Sequence, residues 1–433
     1  MTRPLQFFQY QNGILSSDGV SLEAIAEQIG TPVYIYSASG FIDPLKELQE
    51  GMRDLNHLIC FALKSNSNLS ILRMLAKEGA GMDLVSGGEL FRAAQAGVQS
   101  DKIVFSGVGK TADEMKQGLL YEGTGIYSFN VESLPELRQL NDVAISLGKR
   151  APVALRFNPD VDAKTHPYIS TGLKRNKFGI TRSEVLSVVR SLDQLRGIHL
   201  KGLSIHIGSQ LLSLAPLDDA FSKLSDLVHE LDHHQDRPLE FADLGGGIGI
   251  TYQNEKAPLI QSYCKLIKKH FGKRAKNSPQ FKLLIEPGRT LSGNAGVLVS
   301  KVIYRKERRN KDFLVIDAAM NDLIRPALYE SFHEIVPIEK RLVVSKSSPK
   351  KKWVKTNIVG PVCESSDCFA SDRPFSSQIG PGDLVAILSA GAYGFSMSST
   401  YNSRPRPAEV LIQEGKFSTI RTRETWEDLV RGE

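Results

Sequence analysis

The chain has 433 residues, of which 41% are apolar and 24% charged, with a net charge of +6. That is the composition of a globular protein of two or three domains at about 150 residues each, not of a disordered or fibrous chain. No apolar run approaches the roughly 20 residues that span a bilayer, no secretory core opens the sequence, and four scattered cysteines (Cys60, Cys264, Cys363, Cys368) cannot frame a disulfide scaffold, so a reducing cytoplasmic setting is expected.

Residues 1 to about 36 look extended, with a short helix near Ser21 to Ile29 and a β-like run at Pro32-Val33-Tyr34-Ile35-Tyr36. Short apolar strands then alternate with amphipathic helical stretches. The strands are predicted at 58–63, 80–85, 102–105, 125–129, 152–157, 200–206, 239–244 and 281–285. Leu69, Leu72, Leu75 and Ala76 mark one intervening helix. Met115, Leu119 and Leu120 mark another, and Leu134, Leu137, Leu140, Ala144 and Leu147 a third. Eight βα units in roughly 250 residues point to an α/β fold of the (β/α)₈ TIM-barrel type, with a doubly wound sheet as the competing arrangement. A polar connection from Asn158 to Gly179 breaks the rhythm, and a loop that long inside a domain is more often functional than accidental.

After about residue 290 the period changes to two, at 297–304, 313–316, 352–358, 384–388 and 409–412. This predicts a C-terminal antiparallel β domain, sandwich- or barrel-like, that includes the N-terminal strand. The expected division is a barrel over 36–290 and a β domain over 1–35 and 291–433. The basic runs Arg305 to Lys311 and Lys350-Lys351-Lys352 lie between β-like runs without aromatics placed for base stacking. They read as solvated hairpin turns, so neither a nucleic-acid nor a membrane partner is expected.

Residues ending barrel strands face a shared mouth. Lys64 follows the first strand, His206 the sixth, Gly245-Gly246-Gly247 the seventh and Glu286-Pro287-Gly288-Arg289 the eighth. A desolvated lysine amine is a nucleophile towards carbonyls, although a lysine ending a strand can also simply reach water. A glycine triplet lets backbone N–H groups converge on a phosphate, although it can equally be a tight turn. Lysine and cradle together suggest pyridoxal 5′-phosphate held as a Schiff base, with Glu286 placed to meet its pyridine nitrogen and His206 to stack on its ring. Alone, Glu286 would be a partner for Arg289, His206 a satisfied core residue and Cys363 a small buried hydrophobe.

FALKSN (61–66), GMDLVSGGEL (81–90), HPYISTGLKRNKFGI (166–180), HIGSQ (206–210), DLGGGIGI (243–250), EPGR (286–289), RPALY (325–329), GPVCESSD (360–367) and GAYGFSMSSTYNSRPRPAEV (391–410) together resemble the diaminopimelate decarboxylase family of fold-type III pyridoxal phosphate enzymes. The resemblance runs from about residue 5 to 415 with its motifs in order. It implies that Lys64 carries the cofactor and that His206 stacks on it. Ser209, Gly245, Gly246, Gly247, Gly288 and Arg289 would help hold it, and Glu286 would pair with the pyridine nitrogen. Arg289, Arg325 and Tyr329 would hold the unreactive end of an amino-acid substrate, and Tyr393 would contact cofactor and substrate. Cys363 would be the proton donor and Glu364 a substrate ligand, both supplied across a homodimer whose active sites are shared. Asp83, Glu89 and Arg156 would support the cofactor. Phe61 stands where tyrosine is common in the family, which removes a hydroxyl and leaves the lysine chemistry intact. Cys368 has no assigned role.

The residue types fit that chemistry. Two arginines suit a distal carboxylate through forked hydrogen bonds, and Glu364 suits an ammonium. Ornithine has no distal carboxylate, so Arg289 and Arg325 would there oppose an ammonium. This favours the diaminopimelate branch, and the reaction that the resemblance then implies is decarboxylation of meso-2,6-diaminopimelate at its D-centre to L-lysine, the last step of lysine synthesis. The rivals are a related decarboxylase acting on another amino acid with a distal carboxylate, or on ornithine, arginine or a carboxylated polyamine, a non-catalytic relative that binds a partner or stores the cofactor, and an amino-acid racemase.

Overall fold

The computed structural model describes residues 5–163, 172, 177–232, 238–308, 311–344, 349 and 353–433. Most of the HPYISTGLKRNKFGI stretch, the centre of the 158–179 connection and Lys350–Lys352 lie outside the described residues. The chain divides into two compact units. One comprises residues 42–249 and 257–290; the other comprises the residues up to Phe41, Ile250–Lys256 and Leu291–Glu433. The boundary expected at residue 36 falls inside the strand Val33–Ser37, which lies in the second unit.

The first unit is a closed parallel barrel. Its strands are His57–Ala62, Gly81–Leu84, Ile103–Phe105, Ser128–Val131, Ala151–Arg156, Ile198–Ser204, Phe241–Asp243 and Lys282–Ile285. Closure is made where the last pairs with the first, Leu283 against His57 and Ile285 against Ile59. The fourth strand starts later than its apolar run suggested. Gly125 turns at φ 89° and the Ile126 N–H still bonds to Gly118 at the preceding helix, 3.0 Å away. Pairing with the third strand begins only where Tyr127 N–H donates to the Ile103 carbonyl at 3.0 Å.

The barrel is filled by side chains from several strands, among them Leu58, Cys60, Val104, Ala154, Phe241 and Leu284. Gly202 makes room for this filling: a Cβ there would lie 2.9 Å from the Phe241 ring. The outer helices begin where the sequence supplies caps. Thr111 and Thr181 each take an N–H bond from a glutamate three residues on, whose carboxylate returns to the cap; such reciprocal capping satisfies donors that a helix start leaves open. The long connection after the fifth strand is joined at its ends, with Asn158 bonded to Phe178 and Ile180, each at 2.9 Å, and Val161 to Gly172 at 2.9 Å.

In the second unit the strand Gly296–Lys306 is the axis of a nine-stranded sheet. Along its length it pairs antiparallel with Val33–Ser37, Leu384–Ile387 and Asp312–Ile316. Two other neighbours are parallel, Ala408–Gln413 beside Val33–Ser37 and Trp353–Val359 beside Asp312–Ile316. Alternate residues Val33, Ile35, Val297, Val299, Val410 and Ile412 face one core, covered by Phe8, Leu15, Leu22 and Ile25 from the N-terminal segment. Arg305, expected in a solvated turn, is instead partly buried, with its side chain 9% exposed, and its guanidinium meets Asp312 at 2.6 Å across the hairpin.

Candidate active site

All eight barrel strands send a polar group towards the mouth at their C-terminal ends. Lys64 lies in a one-turn helix, Leu63–Ser65, directly after the first strand. Its amine is 2.9 Å from Asp83 Oδ2 on the second strand, with the lysine side chain 36% exposed and the aspartate fully buried. The other oxygen, Asp83 Oδ1, is buried without a hydrogen-bond partner. Glu89, on the helix that follows, takes the Val85 N–H at 2.7 Å, yet burial pushes its carboxyl up to about 7.

The neighbouring seventh and eighth strands supply, at or just past their ends, a pair of buried acids, Asp243 and Glu286. The Asn130 amide at the fourth strand donates to both, 2.9 Å to Asp243 Oδ2 and 3.3 Å to Glu286 Oε1, and Ser106 also donates to Glu286 at 3.3 Å. Gly245 N–H bonds Asp243 Oδ1 at 3.0 Å. Burial, with Asp243 and Asp83 close by, raises Glu286 well above the usual carboxylate range, and burial raises Asp243 as well. Two close acids out of water cannot both ionise cheaply, which is why both are raised.

His206 follows the sixth strand and accepts the Gly246 N–H on Nδ1 at 3.2 Å. The ring proton therefore sits on Nε2. Burial, then Arg156 and Lys64, holds this imidazole well below its usual range, so it is a flat, neutral surface. Arg156 is fixed by Glu132 at 2.5 Å and by the His206 carbonyl at 3.1 Å. The glycine turn is tight in every direction. Gly245 and Gly247 have φ of 65° and 108°, and a Cβ on Gly245, Gly246 or Gly247 would overlap the carbonyl oxygen of Ile205, Glu286 or Gly208 respectively. Gly288 faces Ala62 and Ser65, whose Cβ atoms would be 3.1 and 3.2 Å from an added methyl. Arg289 is buried and donates through Nε and Nη2 to Ser209 Oγ, at 3.3 and 3.1 Å. With both lone pairs turned to one guanidinium, the Ser209 hydroxyl is left as a donor.

The remaining predicted residues belong to the second unit. Arg325 is buried at the start of the short helix Arg325–Tyr329. Its guanidinium lies 5.4 Å from the Tyr252 ring centre and 5.8 Å from that of Tyr329. Tyr393 is held at φ 56° in a loop where Gly391 and Gly394 press against carbonyls of Ser292 and Ala390. Left-handed backbone at a residue with a Cβ costs energy and persists only where the surrounding structure imposes it. Cys363 and Glu364 are exposed. Cys363 N–H bonds Asn402 Oδ1 at 3.0 Å, Glu364 Oε1 accepts from Ser366 at 2.6 Å, and a hydrogen bond to Glu364 raises the Tyr401 phenol.

Asp243, Asn130, Ser106, Asp367 and Tyr401 went unassigned in the sequence. A signal was available for the first three, since each is a polar residue at or just after the end of an apolar strand. Asp367 and Tyr401 carry no such mark.

The barrel-mouth groups fit pyridoxal phosphate. There is an amine at the rim, an acid pair short of a cation, a neutral ring, a donor hydroxyl and a turn that only glycine can make. Residues 41–293 match the family described as pyridoxal-dependent decarboxylase, pyridoxal binding domain. The chain is 46% identical over 427 residues to the diaminopimelate decarboxylase of Pseudomonas fluorescens, covering 98% of each. It is 46% identical to that of Vibrio cholerae, covering 97% of each. Among solved structures, diaminopimelate decarboxylase from M. jannaschii in co-complex with L-lysine superposes with a TM-score of 0.90 at 36% identity, over 99% of this chain and 97% of that one. The Helicobacter pylori enzyme complexed with L-lysine gives 0.86 at 40% identity, over 94% and 98%. Nearly full-length likeness at this identity, joined to the barrel-mouth geometry, places the chain in the diaminopimelate decarboxylase family of pyridoxal-dependent decarboxylases.

Proposed function

We propose that this protein decarboxylates meso-2,6-diaminopimelate at its D-centre, giving L-lysine and carbon dioxide, as the last step of lysine synthesis. The observation that carries the reading is the Lys64–Asp83 pair facing the buried acids Asp243 and Glu286 in one barrel mouth. Pyridoxal phosphate, when bound, would supply the electron sink that the loss of carbon dioxide requires. Lys64 is the amine that binds the cofactor, kept in place by Asp83. Glu286, whose carboxyl burial and the nearby Asp243 and Asp83 raise well above the usual range, would meet the pyridine nitrogen, with Asp243 beside it. His206 covers one face as a neutral ring. Ser209, with the backbone of Gly245, Gly246, Gly247 and Gly288, holds the phosphate.

Arg289, Arg325 and Tyr329 hold the distal carboxylate, Glu364 takes the distal ammonium, and Tyr393 contacts cofactor and substrate. Cys363 returns a proton to the carbon that lost its carboxylate. The exposure of Cys363 and Glu364 on the single chain supports their delivery to a second protomer in a homodimer. Four cysteines, all free thiols, agree with a reducing cytoplasm.

The test supplies the purified protein with pyridoxal phosphate and meso-diaminopimelate and measures lysine and carbon dioxide. The wild type is expected to form both. Lys64→Ala should lose the visible band of the bound cofactor. Cys363→Ala should keep that band while turnover falls about a hundredfold or more, the usual worth of a positioned acid. A cofactor band without lysine would reject the substrate and turn attention to ornithine, arginine and carboxylated polyamines.

A further inference from the structure

His333 is fully buried in the second unit, and its two ring nitrogens face opposite kinds of partner. Nδ1 is 2.9 Å from the carbonyl oxygen of Leu388, which can only accept. Nε2 is 3.4 Å from Nε of Arg325, which can only donate. The proton must therefore sit on Nδ1 and the lone pair on Nε2, so the ring is neutral and its tautomer is dictated by the fold. Arg325 also donates through Nη2 to Ser331 Oγ at 3.2 Å. The Nε and Nη2 edge of the guanidinium is thus engaged by His333 and Ser331, and the edge carrying Nη1 is turned away from them. Tyr252 completes the arrangement: its ring lies 5.4 Å from the guanidinium and meets the His333 ring edge-on, also at 5.4 Å.

We infer that His333 is a positioning residue that fixes the orientation of the Arg325 guanidinium, and so sets the affinity of this chain for the distal carboxylate of its substrate. The inference rests on the proposed function, because it takes Arg325 as a substrate ligand. A guanidinium on a long side chain has many rotamers to lose on meeting a carboxylate. A neutral acceptor behind Nε removes that loss in advance and requires no anion that would compete with the substrate. A core histidine serving only to fill space would need neither the acceptor nor the tautomer.

Two substitutions separate the roles of the two nitrogens. In His333→Asn the side-chain amide nitrogen takes the place of Nδ1 and keeps the bond to Leu388, but nothing reaches Arg325. In His333→Gln the longer side chain brings an amide oxygen to the place of Nε2. The expected result for His333→Asn is a KM for diaminopimelate about tenfold higher and an inhibition constant for L-lysine raised alike, from loss of one bond to a charged group, with kcat within about twofold. His333→Gln should restore both constants to within about twofold of wild type. Equal KM in all three proteins would overturn the inference, as would an equal rise in both variants or a fall in kcat at constant KM. A wild type that makes no lysine at all would instead overturn the proposed function, and this inference with it.

Discussion

Asp322 sits fully buried in the second unit, with its carboxylate taking N–H bonds from Ala319 at 2.9 Å and from the Asn321 side chain at 3.0 Å. Those bonds do not offset the loss of water, and burial pushes its carboxyl up to about 7 from 3.8. The consequence for stability has a definite sign. Below the unfolded value both states hold the proton. Between it and about pH 7 the unfolded chain releases the proton while the folded chain keeps it, so stability falls as pH rises through that window. Between about pH 5 and about pH 7 the fall from this group is roughly 2–3 kcal/mol. Asp322→Asn cannot titrate and should lose that much less stability over the same interval, whatever its absolute value. Both tryptophans, Trp353 and Trp426, belong to this unit, so urea unfolding followed by their fluorescence reads it directly. Parallel curves for the two proteins would show that Asp322 is ionised when folded.

The segment from Gly360 to Asp367 shows how one element presents chemistry without being regular structure. Asp367 accepts N–H bonds from Met320 at 2.7 Å and Val362 at 2.8 Å, while its own carbonyl takes the Gly360 N–H at 3.2 Å. A Cβ on Gly360 would collide with the Asp367 carboxylate. This clamp shapes the turn that carries Cys363 and Glu364. In Asp367→Ala two N–H groups lose a charged acceptor, at about 1.5–3 kcal/mol each. Lysine formation should fall about tenfold or more while the visible band of the cofactor, bound to the other unit, is unchanged. Activity equal to wild type would show that the turn holds its shape without the clamp.

The same contrast explains what the sequence made legible. Barrel strands buried on both faces leave unbroken apolar runs such as Leu58 to Leu63, so all eight could be found, and the residues ending them pointed to the mouth. The edge strand Cys368–Ser376 leaves no such trace. It carries Asp372, Arg373 and Pro374, Asp372 has φ 52°, and its pairing with Trp353–Val359 slips register twice. An edge strand tolerates these because half of its backbone needs no partner. Asp243 was visible inside DLGGGIGI, but its contact with Glu286 joins the ends of two neighbouring strands, which spacing along the chain does not reveal.

At the scale of the whole molecule the question is how the exposed Cys363 thiol could serve in the proposed proton return. A general acid must lie within hydrogen-bond reach of the carbon it protonates, and a water-filled surface would hydrate both partners. Cys363 and Glu364 lie open on the single chain, yet their turn is clamped and Cys363 is tied to Asn402. The proposed two-fold dimer would resolve the tension, since an isologous arrangement that delivers one turn to the partner necessarily returns the partner's turn. The stoichiometry of that exchange is testable without a further structure. Lys64→Ala and Cys363→Ala should each be nearly inactive alone. If their protomers are mixed and allowed to exchange at random, half of the dimers are mixed. Each mixed dimer then has one site with both defects and one site with neither, so the mixture should recover about a quarter of wild-type activity. Sites built from a single chain would recover nothing, because every site would keep one defect. The recovery should also follow the rate of protomer exchange, rising over time after mixing and arrested when the dimers are cross-linked beforehand.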